Sequence, residues 1–330
     1  MIKISDIYPL GIGGLGFIKS NAENTDKIIR AGYENGLNFI ETGRSYKDSE
    51  EKIGQSLYNN RIRDSFFLAT KTLNRTYLEI KSDIETSLNN LRTDYLDLYQ
   101  MHDLRFQEDY DIIIQEGYEA FKHAKESGKI RYIGVSAHKQ DFMLKLINDG
   151  LVDFIQIPIN IIDFGFFSSI IPIARRKNIK IIAMKPFAGG LIKDPKLAIG
   201  FIINANPDIV IPGVRSVDEL RENICIYKSQ NGLTSKEEEI LKYSMSFVDN
   251  KFCRGCGYCL PCTVGIDIPQ MFLYERYCKT YFLGEWAKEQ YNNAVSIDKC
   301  IGCNQCLRKC PYEINIPKRL KEIHSILGGF

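Results

Sequence analysis

The sequence predicts an α/β fold: a (β/α)8 TIM barrel followed by a smaller, largely helical domain that is rich in cysteine. Short apolar runs rich in β-branched residues alternate eight times with amphipathic stretches in about the first 220 residues. The apolar runs are nearly continuous, which is typical of strands buried on both faces of a parallel sheet. Nine of the ten cysteines fall within residues 253–310, which sets that part of the chain apart.

Each barrel element is assigned from its apolar pattern and its flanking residues. The predicted strands are 8–12, 38–41, 66–70, 95–101, 131–135, 154–157, 180–184 and 208–211. The predicted helices are 25–35, 49–57, 77–91, 111–126, 139–148, 167–177, 195–204 and 217–227. Gly36, Gly128 and Gly150 fall where helix C-caps require a left-handed residue. Eight consecutive units favour a closed barrel over the alternative, an open doubly wound sheet.

The glycine run Gly11-x-Gly13-x-x-Gly16 favours that alternative, because it matches the dinucleotide-binding fingerprint. In such a site the helix opens within the turn, so that its N-terminus meets the pyrophosphate. Here the loop-like residues 17–24 precede the helix. We therefore interpret the run as a glycine-rich turn at the first strand of the barrel.

The predicted domain boundaries follow the barrel. Residues 1–230 form the barrel, 231–249 a linker helix, and 250–330 the cysteine-rich domain. The linker helix starts at the capping-box pattern Thr234-x-x-Glu237. A second helical stretch is expected at 271–294, between the two groups of cysteines.

Composition excludes several function classes. The formal net charge is +2 and the pI about 7.9, so no broad basic surface suggests a nucleic-acid or membrane partner. No apolar run approaches the roughly 20 residues of a spanning helix. Abundant cysteine and the lack of an export signal at the start of the chain predict a cytoplasmic location.

Two cysteine runs predict iron–sulfur clusters. The first is Cys253-x2-Cys256-x2-Cys259-x2-Cys262, and the second is Cys300-x2-Cys303-x2-Cys306-x3-Cys310, followed by Pro311. The second run matches the two-cluster ferredoxin pattern, in which the fourth cysteine of each run ligates the other cluster. That pattern implies two [4Fe–4S] clusters in a ferredoxin-like domain. Cluster one takes Cys253, Cys256, Cys259 and Cys310, and cluster two takes Cys300, Cys303, Cys306 and Cys262.

Two other interpretations of the cysteines are weaker. A zinc site uses four ligands, and eight cysteines exceed that need. A disulfide framework requires an oxidising compartment. Cys225 and Cys278 lie outside both runs, and we expect them to be ordinary buried thiols.

Four titratable residues lie at successive strand ends of the predicted barrel, where barrel enzymes place their catalytic groups. Glu41 ends the second strand and Tyr46 lies in the following loop, while Lys71 and His102 end the third and fourth strands. A free tyrosine has a pKa near 10, and a nearby lysine cation lowers that pKa. Tyr46 could then donate a proton to a carbonyl oxygen that His102 also binds, while Glu41 orients Lys71.

These residues resemble the aldo-keto reductase family over roughly residues 8–227. The resemblance rests on five segments: Phe39-Ile-Glu-Thr-Gly-Arg-Ser-Tyr46, Phe67-Leu-Ala-Thr-Lys71, Tyr95-Leu-Asp-Leu-Tyr-Gln-Met-His102, Gly128-Lys-Ile-Arg-Tyr-Ile-Gly134-Val-Ser136, and the stretch from Ile211-Pro-Gly213 to Asn223. With its tail, the chain resembles the iron–sulfur, ferredoxin-fused branch of that family.

The resemblance implies that Tyr46 is the acid, that Lys71 and Glu41 tune it, and that His102 orients the substrate. It also implies reduction of a carbonyl or related unsaturated small molecule, with NAD(P)H as one source of electrons. The predicted nucleotide contacts are Ser136, Gln156, Lys185, Gly213, Arg215, Glu219 and Asn223.

Four positions depart from the family pattern. Glu41 replaces the usual Asp, and Ala137 stands where many members have Asn. Gly213 and Glu219 stand where many members have basic residues that bind the adenosine 2′-phosphate of NADP. Glu219 would repel that phosphate but accept from a ribose hydroxyl, and Arg215 could compensate. The choice between NAD and NADP therefore stays open at this point.

The two halves predict different electron chemistry. Nicotinamides deliver hydride, whereas clusters pass single electrons, so direct exchange normally needs a flavin, and we see no flavin motif. The leading hypothesis is a reductase that draws electrons from NAD(P)H, from the clusters, or from both, with a ferredoxin or flavoprotein as a redox partner. The alternative is an electron-transfer module in which the barrel is a scaffold. A third interpretation makes the clusters structural.

Overall fold

The computed structural model describes residues 1–104, 107–137, 141–161, 166–190, 192–239, 252–253, 255, 257–279 and 284–328. The chain divides into two compact units. The first comprises Met1–Ala188 and Ile192–Leu241, and the second comprises Gly189–Leu191 and Lys242–Phe330.

The first unit contains one sheet of eight parallel strands in sequential order. The strands are β1 Ile12–Gly13, β2 Phe39–Glu41, β3 Phe67–Thr72, β4 Leu96–His102, β5 Ile130–Ser136, β6 Phe154–Pro158, β7 Lys180–Met184 and β8 Ile209–Ile211. Parallel bridges from Leu10 to Val210 and from Gly13 to Gly213 join the first strand to the last. The prediction of a closed barrel is therefore confirmed.

Helices follow the strands of the barrel. They are α1 Ala22–Glu34, α2 Ser49–Asn59, α3 Tyr77–Asn90, α4 Gln107–Ile112, α5 Tyr118–Glu126, α6 Asp141–Asn148, α7 Phe166–Ser169, α8 Ile171–Arg176, α9 Pro195–Ala205 and α10 Val217–Ser229. A π-helical turn, Ile113–Gly117, joins α4 to α5. Gly36, Gly128 and Gly150 have positive φ, as the C-cap prediction requires.

Two predicted helices differ from the structure. The helix expected at 111–126 starts earlier and contains the π-turn, where Gly117 packs so closely on Arg75 that a Cβ would lie 2.0 Å from its carbonyl oxygen. The helix expected at 167–177 is divided into α7 and α8. Pro172 explains the division, because proline lacks the N–H that would continue the preceding turn.

The glycine run at the first strand permits close backbone packing. A Cβ on Gly14 would lie 2.6 Å from the carbonyl oxygen of Glu41, and one on Gly16 would lie 2.4 Å from that of Val214. A 3₁₀ helix, Gly14–Lys19, follows the strand. The run therefore lets the first strand and its loop pack tightly against the chain after β2 and after β8, as expected for a barrel-entry turn.

An apolar cluster fills one part of the barrel interior. Its stacked rings include Phe39 and Phe67, whose centroids are 5.5 Å apart. The N-terminal residues Ile2, Ile4 and Ile7 pack against this cluster, a contact that the sequence pattern did not reveal.

The capping box predicted after the barrel is present. The Thr234 backbone N–H donates to Glu237 Oε2 at 2.8 Å, and the Glu237 N–H donates to Thr234 Oγ1 at 3.2 Å. Residues 235–239 are helical. The remainder of the predicted linker helix lies largely outside the described residues.

The second unit is largely helical, as predicted. Its helices are α11 Ile268–Lys279, α12 Gly284–Asn292, α13 Gln305–Lys309 and α14 Ile316–Leu327. A separate apolar core, including Met271, Ala287 and Ile323, holds these helices together. Within the described parts of both units, no helix is long and apolar enough to cross a membrane.

Candidate active site and cluster sites

A buried ion pair lies at the ends of β2 and β3. The Glu41 and Lys71 side chains are 3% and 1% exposed, and Lys71 Nζ pairs with Glu41 Oε1. The ammonium also donates to the Thr42 carbonyl oxygen at 2.6 Å. Burial lowers the pKa of Lys71, and the Glu41 carboxylate opposes this effect. The longer Glu41 side chain therefore reaches Lys71, although the family pattern places Asp there.

Tyr46 and His102 lie beside this pair. Lys71 Nζ is 4.4 Å from the centroid of the half-buried Tyr46 ring. The Tyr46 and His102 rings meet edge to face with centroids 5.8 Å apart. Ser45 Oγ lies 3.4 Å from His102 Nδ1. The four predicted catalytic residues thus come together from β2, its loop, β3 and β4.

The predicted contacts at the ends of β5, β6 and β7 bind other protein groups. Ser136 Oγ accepts from the Asp103 backbone N–H at 3.2 Å. Gln156 Nε2 donates to Glu41 Oε1 at 2.9 Å. Lys185 follows β7, and its carbonyl oxygen accepts from Asn160 Nδ2 at 3.0 Å. His138, two residues after β5, lies outside the described residues.

Arg215 and Glu219 pair with each other at the start of α10. Arg215 Nη2 lies 2.8 Å from Glu219 Oε1, and the Arg215 backbone N–H donates to Oε2 at 2.8 Å. Gly213 is exposed, and a Cβ there would meet nothing within 4 Å. Asn223 is 2% exposed, and its Oδ1 has no hydrogen-bond partner among the described residues. A buried acceptor of this kind is unusual and marks a position where a bound group could donate.

Sequence reasoning missed a second buried carboxylate next to the pair. Glu50 on α2 accepts from Thr70 and Ser87 hydroxyls at 2.8 Å each and pairs with Arg44 Nη1 at 2.7 Å. Attraction to Glu50 and Asp83 raises the pKa of Arg44 against the effect of burial. The signal available was Ser-Glu50-x-x-x-Gly54, which places an acidic residue on the face of α2 that packs inward.

Cysteines of both runs line two concave sites in the second unit. The first site is lined by Cys253, Cys259 and Cys310, together with apolar side chains that include Phe272 and Ile316. The second site is lined by Cys262, Cys300, Cys303 and Cys306, and also by Cys259. Cys256 lies outside the described residues. Each site therefore joins thiols that are separated by about 40 residues or more in the sequence.

The thiol environments fit soft metal–sulfur chemistry. The Gly255 N–H donates to Cys253 Sγ at 3.4 Å, and Thr263 Oγ1 lies 3.5 Å from Cys303 Sγ. That contact lowers the pKa of Cys303, whereas burial raises the pKa of Cys306. Among the described residues, no three His, Cys, Asp or Glu side chains converge on a single-ion position. A donor set of thiols alone suits soft metal centres, which include zinc and iron–sulfur clusters.

The two remaining cysteines differ from each other. Cys278 is half-buried and packs against the apolar core of the second unit. Cys225 is exposed on α10, so the expectation that it is buried is wrong. It lies next to Ile224, which takes the inward position at that point of the helix.

Comparison with known proteins identifies the class. Residues 9–198 match the model of the aldo/keto reductase family, and the chain belongs to that family. Residues 252–315 match a 4Fe-4S dicluster domain. The chain is thus a member of the aldo/keto reductase family that carries an iron–sulfur dicluster domain.

Two relatives come from Bacillus subtilis. The uncharacterized oxidoreductase YqkF is 29% identical over 208 residues, which is 58% of this chain and 65% of that protein. The aldo-keto reductase YhdN is 31% identical over 193 residues, or 55% of this chain and 57% of that protein. The chain therefore spans less than two thirds of either relative.

Solved structures share the barrel fold. The holo form of aldo-keto reductase AKR11C1 from Bacillus halodurans has a TM-score of 0.62 at 22% identity, covering 72% of this chain and 92% of that one. An aldo/keto reductase from Klebsiella pneumoniae in complex with NADP and acetate has a TM-score of 0.61 at 24% identity, with the same coverage.

Proposed function

We propose that the chain is an oxidoreductase that reduces a carbonyl or related unsaturated small molecule at the Tyr46 site, with Tyr46 as the proton donor. The observation that carries the proposal is the Lys71 ammonium 4.4 Å from the Tyr46 ring centroid, paired with the buried Glu41. A cation at that distance favours the tyrosinate and so makes the phenol a stronger acid.

The neighbouring groups support acid catalysis at one oxygen atom. Tyr46 is half-buried, so its phenol can reach a small molecule, whereas Lys71 and Glu41 are shielded from water. His102 lies edge-on to Tyr46 and can bind the same carbonyl oxygen. In this proposal Tyr46 gives its proton to the oxygen while reducing equivalents reach the adjacent carbon.

The residues after β8 fit a nicotinamide nucleotide as one electron source. The buried Asn223 Oδ1 offers an acceptor, and Gly213 leaves its surroundings open. Because Arg215 and Glu219 neutralise each other, neither strong attraction nor strong repulsion of a 2′-phosphate is expected, and we propose use of both NADH and NADPH. When bound, the nucleotide would supply hydride. The relative from K. pneumoniae was crystallised with NADP, which supports this part of the proposal.

We further propose two [4Fe–4S] clusters in the second unit, with the crossed ligand sets Cys253, Cys256, Cys259, Cys310 and Cys300, Cys303, Cys306, Cys262. The lining of the two concave sites supports this assignment, since Cys310 lies with the first run and Cys262 with the second. When bound, the clusters would supply single electrons.

The exposure of the cysteines at the two cluster sites suggests where electrons enter the second unit. Cys300 and Cys303 are exposed, and Ile301 between them is 70% exposed, whereas Cys259 of the first site is buried. We propose that a ferredoxin or a flavoprotein delivers electrons at the second site. The same exposed loop supports the second candidate function, an electron-transfer module that passes electrons between proteins while the barrel serves as a scaffold.

One experiment tests the reductase proposal. Holoprotein is screened anaerobically with NADH, NADPH or a reduced ferredoxin against a panel of aldehydes, ketones and conjugated enones. We expect turnover of at least one compound and a loss of about 10²–10⁴-fold in Tyr46→Phe, the range for removing a general acid. The control Tyr33→Phe changes a 45% exposed ring on α1 and should keep full activity. Cluster reduction without any turnover would support the electron-transfer module instead.

A further inference from the structure

Two buried glutamines form a hydrogen-bonded chain that crosses the barrel interior. Gln100 on β4 and Gln156 on β6 are 0% and 1% exposed. Gln100 Nε2 donates to Gln156 Oε1 at 2.8 Å, and Gln156 Nε2 donates to Glu41 Oε1 at 2.9 Å. Because β6 and β2 lie on opposite sides of an eight-stranded barrel, this chain connects the far wall to the Glu41–Lys71 pair.

The carboxylate at one end fixes the direction of the hydrogen bonds that link Gln100, Gln156 and Glu41. A carboxylate only accepts hydrogen bonds, so the Gln156 amide must turn its NH2 group toward Glu41. Its oxygen then faces Gln100, which must present its own NH2 group. Gln100 Oε1 is left without a partner among the described residues, as expected for the last acceptor of such a chain.

Two sequence features allow these hydrogen bonds to form. β5 separates β4 from β6, and a Cβ on Gly134 of β5 would lie 3.0 Å from Gln100 Cγ and 3.2 Å from its Oε1. The length of Glu41 is the second feature. An aspartate would retract the carboxylate by one carbon–carbon bond, about 1.5 Å, and the 2.9 Å contact with Gln156 would pass beyond hydrogen-bond range.

We propose that Gln156, held by Gln100, is a positioning residue for the Glu41–Lys71 pair. Glu41 Oε1 accepts from both Gln156 Nε2 and Lys71 Nζ. Gln156 therefore fixes the carboxylate that in turn holds the ammonium beside the Tyr46 ring. The functional part of this inference rests on the proposed role of Tyr46 as the acid.

The contact is tested without substrate by thermal unfolding of Gln156→Glu and Gln156→Leu between pH 5 and 8. The new carboxyl in Gln156→Glu would face Glu41, whose Oε1 also accepts from Lys71. The other titratable groups near this pair are Glu50, Tyr46 and His102. Burial and the like charge raise its folded-state pKa above the unfolded value. Stability is then retained at low pH and lost as pH rises.

We expect the melting temperature of Gln156→Glu to fall progressively below that of wild type from pH 5 to pH 8. A rise of two pKa units corresponds to about 5–10 °C in a barrel of this size. The Gln156→Leu difference should stay constant with pH. A pH-independent difference for Gln156→Glu would overturn the proposal, because the side chain would then not face Glu41.

The positioning role is tested through the ionisation of Tyr46. The protein is labelled with 3-fluorotyrosine, and the Tyr46 ¹⁹F resonance is assigned with Tyr46→Phe. In Gln156→Leu the carboxylate loses a donor and Lys71 loses its fixed partner, so Tyr46 should ionise at a higher pH than in wild type, by about half a unit or more. At pH 5 the protonated carboxyl of Gln156→Glu still donates a hydrogen bond to Glu41. The Tyr46 ¹⁹F chemical shift of this variant at pH 5 should therefore equal that of wild type.

Two comparisons complete the test. Met184→Leu changes the packing next to Gln156, whose Nε2 lies 3.7 Å from Met184 Sδ, and leaves the Glu41 contact in place. It should leave the Tyr46 midpoint unchanged. In a Glu41→Gln background, Gln156→Leu should add no further shift, because Gln156 acts through Glu41. An unshifted midpoint in Gln156→Leu, or equal shifts in both backgrounds, would refute the positioning role even if Tyr46→Phe abolishes turnover.

Discussion

Replacement of Lys71 by methionine is the most informative perturbation of the barrel site. Methionine keeps the length of the side chain but removes the charge. The buried Glu41 then loses its ionic partner and keeps the Gln156 N–H at 2.9 Å. A buried carboxylate with one neutral donor and no cation is costly to leave ionised.

The expected loss of stability is large. Removing one partner of a buried pair costs about 3–5 kcal/mol, which corresponds to a fall of about 6–20 °C in melting temperature for a domain of this size. The loss should depend on pH. Without Lys71, burial raises the folded-state pKa of Glu41 above its unfolded value of about 4.3. Stability is therefore present below that value and is lost as pH rises through the folded-state pKa, so the deficit is small at pH 5 and largest at pH 8.

Thermal unfolding of anaerobic holoprotein, followed by far-UV circular dichroism at pH 5 and 8, measures this effect. The double variant Lys71→Met/Glu41→Gln removes both charges and should recover most of the loss, because a neutral pair of similar volume carries no buried charge. Lys129→Met is the matched control, because the ion pair of Lys129 with Glu85 is exposed (39% and 49%). We expect this variant to lose about 0–1 kcal/mol of stability. A deficit that is equal at both pH values, or equal in the single and double variants, would refute the reasoning.

Two further predictions concern the cluster ligands and a tyrosine on α5. Cys262→Ala and Cys300→Ala should disturb the electron paramagnetic resonance signal of the same cluster. Cys278→Ala is the control and should leave the iron content and both cluster signals unchanged. If the first two variants disturb different clusters, the crossed ligand sets are contradicted. Burial raises the pKa of Tyr118 to about 12, above the unfolded value of about 10, so its contribution to stability should be present below pH 10 and lost toward pH 12. Tyr118→Phe should lose less stability than wild type over that range in urea unfolding, and an identical loss would contradict the assignment.

The barrel could be predicted because its strands are buried on both faces and therefore form continuous apolar runs. Lys180–Met184 was expected with the bounds that it has in the structure. The first strand was less predictable, because Ile12–Gly13 is only two residues long and is joined to β8 by single bridges. Its packing depends on close backbone approach at glycines, which leaves no apolar pattern in the sequence.

The catalytic candidates could be predicted because strand ends of a barrel converge at one face. What those side chains contact could not be predicted, since contacts depend on side-chain length and direction. Gln156 was predicted as a nucleotide contact, and its hydrogen bond to Glu41 across the barrel was not foreseen. In the sequence, Gln100 is only a polar residue in an apolar strand. Its hydrogen bond to Gln156 depends on the space that Gly134 of β5 leaves between β4 and β6, which the sequence pattern does not show.

The most direct test of the reductase account is a single-turnover measurement on prereduced protein. Holoprotein with reduced clusters and, separately, holoprotein with bound NADPH are mixed anaerobically with a compound identified in the carbonyl screen, and cluster and nucleotide absorbance are followed by stopped flow. We expect wild type to reoxidise while product forms, and Tyr46→Phe to do so about 10²–10⁴-fold more slowly. Equal rates in wild type and Tyr46→Phe would contradict the role of Tyr46 as the acid and with it the proposed reaction.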